Sequence, residues 1–568
     1  MSDQISWRFF CLGLLFTGAL FAASSVMNAA EQRLALDYKN HESAWQFLNG
    51  RWNTTDEGNM VCPATSHWSM DVHLAFQTEQ AYGDCTLSGK WQFRYGGGAL
   101  PLFIVRAQDT RRFYAVRCSL QMNNPSSEEM LMCSIWKGTE DGYQRMLGYR
   151  RKVGMYAGRA DPQRWYEVRV RCVGPQILVY FNDNFVCAVN DDDYPAGVIG
   201  VGGVGTPAFK DLEVVGEPVQ LETPWSDAET ETPKQFKPVS GIASSAMVTL
   251  LPNDEILLGF RDDKKQFVTS SRDYGLTWDK PIQRPFGYYI ASLNELWSIR
   301  GEHNPDVEWK DRGINFDELN SDNFWHVISI SGDLGRTWSP EKRLAIPFPA
   351  GLAYQPIKGK AGAVVGPGGP PRDVSDGTVA MTGSWRNNPD GNYASDQNLF
   401  FRSSDGGRSW SMTHIDDTEW ERNESCWVEL GGGRILVVLR SNYTNSVGQS
   451  ISEDYGRTWS KVRPLGIPYF GASAPAILRL KNDVLVLATR QWGIFTSIDD
   501  GQTWSLPTHI RGYSGSGLKA GLLEMKDGRL LVVSSTHGNA RANCTTVAQF
   551  VRVDDDGTVH PALPGPVN

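Results

Sequence analysis

No block of lysines and arginines occurs anywhere in the 568-residue chain, whose formal net charge is −9. That balance argues against nucleic acid or an anionic membrane surface as a partner. After the charge-free run from Phe9 to Ala23, no stretch is long and apolar enough to span a bilayer. None of the nine cysteines pairs at zinc-finger spacing, and no metal-ligand cluster, phosphate-binding loop or ordered Ser/His/Asp set stands out. No metal and no cofactor are therefore expected. What the chain has in quantity is glycine (57) and tryptophan (20). Short strands joined by tight turns call for that mixture, and the expected fold is all-β.

The length suits two or three domains. Arg8 precedes the apolar run, and Ala29 and Ala30 precede the charged Glu31. This is the pattern of a secretory signal peptide over residues 1–30, so a secreted or periplasmic location is expected. Cys62, Cys85, Cys118, Cys133, Cys172 and Cys187 fall within the next 160 residues. An exported domain with an even set suits disulfides, but six cysteines leave fifteen connectivities open. Cys426 and Cys544 stand apart and read as small buried residues.

Residues 31–216 alternate with period two. Trp165 to Cys172 leads through Gly174-Pro175 into Ile177 to Phe181, and Asn182-Asp183-Asn184 supplies the next turn. Such runs describe antiparallel hairpins in a β-sandwich. Residues 90–216 loosely resemble the concanavalin-like jelly rolls attached to secreted carbohydrate enzymes. Residues 217–237 are acidic and rich in Pro and Thr, which reads as a linker.

From residue 238 onward one motif recurs five times. It begins at Ser271, Ser331, Ser403, Ser452 and Ser497, at spacings of 60, 72, 49 and 45 residues, and reads Ser-x-Asp-x-Gly-x-(Ser/Thr)-Trp. The Asp carboxylate suits backbone N–H groups across a turn, the Gly permits positive φ, and the Trp buries between sheets. A fixed motif at this spacing marks a repeat architecture with one four-stranded sheet per repeat. The motif is the Asp box, and residues 238–568 resemble the sialidase (neuraminidase) superfamily. The resemblance implies a six-bladed β-propeller with the boxes at the rim and a central site on the other face. Near Gly517–Phe550 the sixth blade lacks a box.

Each hairpin turns on a polar segment. In one of them Glu424 lies eight residues before Gly432 and Arg440 eight after, which places the two side by side at the open end of the hairpin. Arg490 stands at the same distance past Asn482, and Arg261 follows the Pro252–Glu255 turn. Guanidinium forks suit carboxylate groups. By the resemblance, Glu424 polarises a nucleophilic tyrosine while Arg440, Arg490 and Arg261 grip a substrate carboxylate. Asp262 occupies the place of the acid/base aspartate. Two departures stand out. The stretch Gly241 to Met247 lacks the arginine that the family has there. The tyrosine position holds Lys519, so the nearest candidate nucleophile is Tyr513. Loops Trp297 to Glu302, Trp385 to Asn388 and Glu419 to Glu421 read as a glycan-facing surface.

Three readings follow. One is an exo-acting, sialidase-like glycoside hydrolase with a glycan as its partner. Another is a glycosidase for a different acidic sugar that pairs Glu424 with Glu421, Glu419 or Asp262. The last is a non-catalytic glycan-binding protein.

Overall fold

The computed structural model describes residues 32–36, 42–48, 50–63, 72–93, 100–121, 130–153, 164–204, 206–225, 238, 244–262, 265–302, 323–347, 364–367, 369–386, 396–415, 424–440, 447–467, 475–489, 493–510, 521–535 and 546–566. Residues 1–30 lie outside this set. All strand pairings among the described residues are antiparallel, and none of these residues lies in an α-helix.

The N-terminal part is a β-sandwich built around one long strand, His73–Phe93. Its first half pairs with Trp45–Leu48 and Gly197–Val204, and its second half with Tyr166–Val173 and Pro207–Val219. One strand thus serves both sheets. The sheet that continues through Leu100–Ala107, Phe113–Gln121, Met130–Gly138 and Gln144–Val153 is apolar on both faces. Phe103, Val105, Val116 and Ile135 face the second sheet, while Leu102, Ile104, Ala115 and Trp136 face Leu436, Leu485 and Phe495 of the C-terminal part. Burial on both faces explains why Leu102 to Val105 reads as an unbroken apolar run. The strand Pro207–Val219 extends past residue 216, and Trp225 packs on Phe76 at 5.0 Å between ring centroids.

The C-terminal part is a six-bladed propeller. Blade 1 runs from Ser244 to Gln283, blade 2 from Tyr288 to Pro347 and blade 3 from Val364 to His414. Blade 4 runs from Ser425 to Pro464, blade 5 from Ala476 to His509 and blade 6 from Gly521 to Ala562. Each is an antiparallel meander of contiguous chain. Blade 3 carries an extra short strand, Arg372–Asp373.

The five boxes close the third-to-fourth-strand turns of blades 1 to 5. In every one the Gly amide donates to the leading Ser hydroxyl at 2.7–2.9 Å. The amide of the Ser or Thr at the seventh place donates to the Asp carboxylate at 2.8–2.9 Å. The glycines sit at φ between 79° and 87°, where a side chain is strained. Each box Trp packs back onto the preceding blade: Trp410 on Trp297, Trp459 on Phe400, Trp338 in the cluster of Leu257, Trp504 in that of Leu436, and Trp278 against blade 6.

The boxes carry an acid signature. Asp333 is held at about 2, first by the Thr337 amide and then by the Thr337 and Ser331 hydroxyls. At Asp405 and Asp454 slight burial pushes upward, but hydroxyl and amide donors outweigh it and leave both at about 2. An unfolded aspartate titrates near ~3.9, so the unfolded chain takes up these protons first. The boxes' contribution is therefore present above pH ~4 and lost as pH falls from there towards ~2. Thermal unfolding followed by circular dichroism at descending pH should show a steep drop in that window. A triple Asp→Asn variant at 333, 405 and 454 should show a shallower drop, and an equal slope would remove the boxes from the account.

Blade 6 has only a short turn, Asp554 to Thr558, where a box would be. The place of the missing Trp is taken by the sandwich. The hairpin between Met130–Gly138 and Gln144–Val153 brings Tyr143, fully buried, among Val486 and Ile494 of blade 5 and Val532 and Val551 of blade 6. Its hydroxyl accepts a hydrogen bond from Gln549 at 2.9 Å. Beside it Arg145 pairs with Thr508 of the outermost strand of blade 5, and its guanidinium donates to the Val559 carbonyl of blade 6 at 3.1 Å. The two parts are thereby joined by backbone pairing as well as by side-chain packing.

Candidate functional site

The first and third turns of each blade lie on one face of the propeller, with the boxes. The other face receives the second turns and the links between blades. Glu424 and Arg440 are at that second face. Glu424 immediately precedes the inner strand Ser425–Gly431, and Arg440 ends the next strand, Arg434–Arg440. The register pairs Ser425 with Leu439, so Glu424 and Arg440 are opposite each other. The Arg440 amide donates to the Glu424 carbonyl at 2.8 Å, and its guanidinium donates to the Glu424 carboxylate at 2.9 Å.

Both side chains of this pair are about one quarter exposed, at 24% and 25%. About three quarters of each side chain is thus withdrawn from solvent, and breaking a pair so placed leaves a charge partly buried without its counter-charge. The Arg440 Nε is buried and has no hydrogen-bond partner among the described residues. Next to Glu424, the Ser425 hydroxyl is likewise buried with no partner among the described residues. Unpaired polar groups of this kind cost ~1–3 kcal/mol each.

Of the other sequence candidates, Arg261 and Asp262 end the second strand of blade 1, paired with Ser244 and Lys265; their side chains are outside the described residues. Arg490, Tyr513 and Lys519 also lie outside them. Trp297 corrects an expectation: it is fully buried between blades 2 and 3 against Trp410, and takes no part in a glycan-facing loop. Arg300, on the same strand, pairs with Glu341 through two hydrogen bonds of 2.7 and 3.0 Å. Residues 387–388 and 419–421 are outside the described set. Among the described residues no group of three His, Cys, Asp or Glu side chains could hold a metal ion.

One residue at the axis was not foreseen. Arg372 stands on the inner side of blade 3, and its guanidinium donates to the carbonyls of Trp427 in blade 4 (2.9 Å) and Ile477 in blade 5 (3.1 Å). Tyr288 of blade 2 is its neighbour: burial pushes the Tyr288 phenol up to about 12, and the guanidinium opposes that rise. Pro370-Pro371 before Arg372 signals an interrupted strand, but nothing local reveals contacts across four blades.

Residues 315–491 match the family model of the BNR repeat-like domain. No curated protein matches the chain significantly. Among solved structures, a Hadza microbial sialidase, Hz136, is 13% identical, with 88% of this chain and 96% of that one covered and a TM-score of 0.42. A point mutant of the NanB sialidase of Streptococcus pneumoniae is 11% identical, with 83% and 95% covered and a TM-score of 0.40. The carbohydrate-binding module CBM66 of Bacillus subtilis is 16% identical, with 30% and 94% covered and a TM-score of 0.24. For this propeller, any functional reading rests on its own residues.

Proposed function

We propose that the chain is an exported, exo-acting glycoside hydrolase for glycans that end in an acidic, sialic-acid-type sugar. The observation that supports this best is the Glu424–Arg440 pair, a carboxylate and a guanidinium side by side on the face away from the boxes. In this reading Arg440, with Arg490 and Arg261, binds the sugar carboxylate through charge-assisted hydrogen bonds. Glu424 takes the phenol proton as the oxygen of Tyr513 attacks the anomeric carbon, and Asp262 protonates the departing oxygen. Lys519 at the expected tyrosine position favours a second reading, in which Glu424 and another carboxylate act on a different acidic sugar without a tyrosine.

The test is hydrolysis of a panel of sialosides and other acidic glycosides by the purified chain. Cleavage of sialosides supports the first reading, and cleavage of uronides alone the second. Glycan binding without cleavage would overturn both in favour of a binding module. With a cleaved substrate in hand, Arg440→Lys keeps the charge and loses the fork. Losing one hydrogen bond to a charged group costs ~1.5–3 kcal/mol, so kcat/KM should fall about 10–100-fold, mostly through KM. An unchanged KM would take Arg440 out of the substrate site.

A further inference from the structure

We propose that Cys85 and Cys172 are joined by a disulfide when the chain folds in an oxidising compartment, which makes this pair a covalent modification site of the sandwich. The two residues are direct register partners on the adjacent strands His73–Phe93 and Tyr166–Val173. Cα atoms of antiparallel partners lie about 4.5 or 5.5 Å apart, and both values fall within the roughly 4.4–6.8 Å that a disulfide spans. The side chains share one face, and both are buried.

In the folded sheet the neighbouring Cys85 holds Cys172 below the ordinary thiol value; burial opposes this, and the nearby Arg106 guanidinium assists. Cys85 moves the other way, raised first by its neighbour Cys172 and then by burial. Arg106 is itself almost fully buried and donates to Asp84. Elsewhere in the sandwich the thiols are differently placed. Cys133 has two thiol neighbours, Cys187 at 3.6 Å and Cys118 at 4.0 Å. Hydrogen bonds to both, then burial, push it well up. Cys62 faces the Gly203 carbonyl at 3.9 Å. Cys85 and Cys172 are the pair with one partner each and a cation beside them.

The chemistry balances with a low-molecular-weight disulfide such as oxidised glutathione as oxidant. In the forming sheet the thiolate of one cysteine attacks one of the oxidant's sulfurs, the S–S bond breaks, one glutathione thiolate leaves, and a mixed disulfide results. The thiolate of the other cysteine then attacks the protein sulfur of that mixed disulfide and expels the second glutathione thiolate. Two protein thiols are oxidised, one glutathione disulfide is reduced to two thiols, and the two cysteine protons end on them. In the folded sandwich Cys85 and Cys172 are 5% and 1% exposed, so the oxidant reaches them while the sheet is still forming. The closed loop contains the hairpin that carries Tyr143.

The experiment uses the full chain, made in a bacterial cytoplasm with its thiol-reducing pathways intact and in one with them disabled. Free thiols are alkylated in denaturant without reductant, and the digest is mapped by mass spectrometry. The oxidising host should yield the Cys85 and Cys172 peptides linked, two hydrogens lighter than their sum, and the reducing host the same peptides alkylated. Quantitative alkylation of both thiols in the oxidising host, or Cys85 joined to another cysteine, would overturn the assignment. A Cys85→Ala/Cys172→Ala double variant gives a second readout that leaves the other cysteines in place. Reductant should lower the unfolding midpoint of the oxidised wild type by several degrees more than that of the variant. Equal shifts would count against the link. None of these outcomes depends on the glycan reading.

Discussion

Glu424→Gln should lower turnover of a cleaved glycoside by about 10²–10⁴-fold, the range for loss of a positioned general base. The substitution keeps the shape and an oxygen that still accepts from the Arg440 guanidinium, now 2.9 Å from the carboxylate. What it removes is the negative charge. A proton-accepting role fails without that charge, whether the proton comes from a tyrosine or from water. Substrate binding should move the opposite way or scarcely at all, because an arginine relieved of its anionic partner has more positive potential to offer a sugar carboxylate. Stability should fall modestly, since the arginine, about three quarters withdrawn from water, loses its counter-charge but keeps a hydrogen bond. Steady-state kinetics separates these effects. A variant with wild-type kcat would show that the catalytic centre lies elsewhere.

Tyr143→Ala should be the most destabilising single change at the junction of the two parts. It removes a fully buried ring from between blades 5 and 6 and leaves Gln549, itself 2% exposed, without its partner. Truncation of a large buried aromatic costs ~3–5 kcal/mol. A chain of this size unfolds in more than one step, so the informative measurement joins calorimetry to limited proteolysis. The first transition should move down by several degrees, and protease should cut between sandwich and propeller at concentrations that leave the wild type whole. Tyr143→Phe keeps the ring and loses only the hydroxyl contact, a loss of ~1 kcal/mol, and should stay close to wild type. If Tyr143→Ala melts and digests like wild type, the hairpin is an ornament on a self-sufficient ring.

The fold was legible because its evidence is local. Each box is an eight-residue turn whose hydrogen bonds lie within the turn itself, and five copies set the architecture and the direction in which each Trp packs. The Glu424–Arg440 pair was legible for a similar reason: eight residues on either side of Gly432 become neighbours in a simple antiparallel hairpin, and the register keeps that symmetry up to the turn. What stayed hidden involves distance along the chain. Tyr143 and Gln549 are separated by 406 positions, and no periodicity joins them. Trp297 was misread because an aromatic at the start of a polar stretch looks the same whether it faces solvent or the adjoining blade. Arg372 escaped because its partners are backbone carbonyls, which every residue has.

That arginine bears on how the ring holds together. Inner strands of blades 2, 3, 4 and 5 converge on one guanidinium, through Tyr288, Arg372 itself, Trp427 and Ile477. The cation and its aromatic neighbours occupy the core of the ring, with the Trp427 ring 5.9 Å from the guanidinium carbon. A strand edge that would otherwise present bare carbonyls is covered. Blades 3, 4 and 5 are thereby tied through one side chain, so a change at that guanidinium is felt by all three at once.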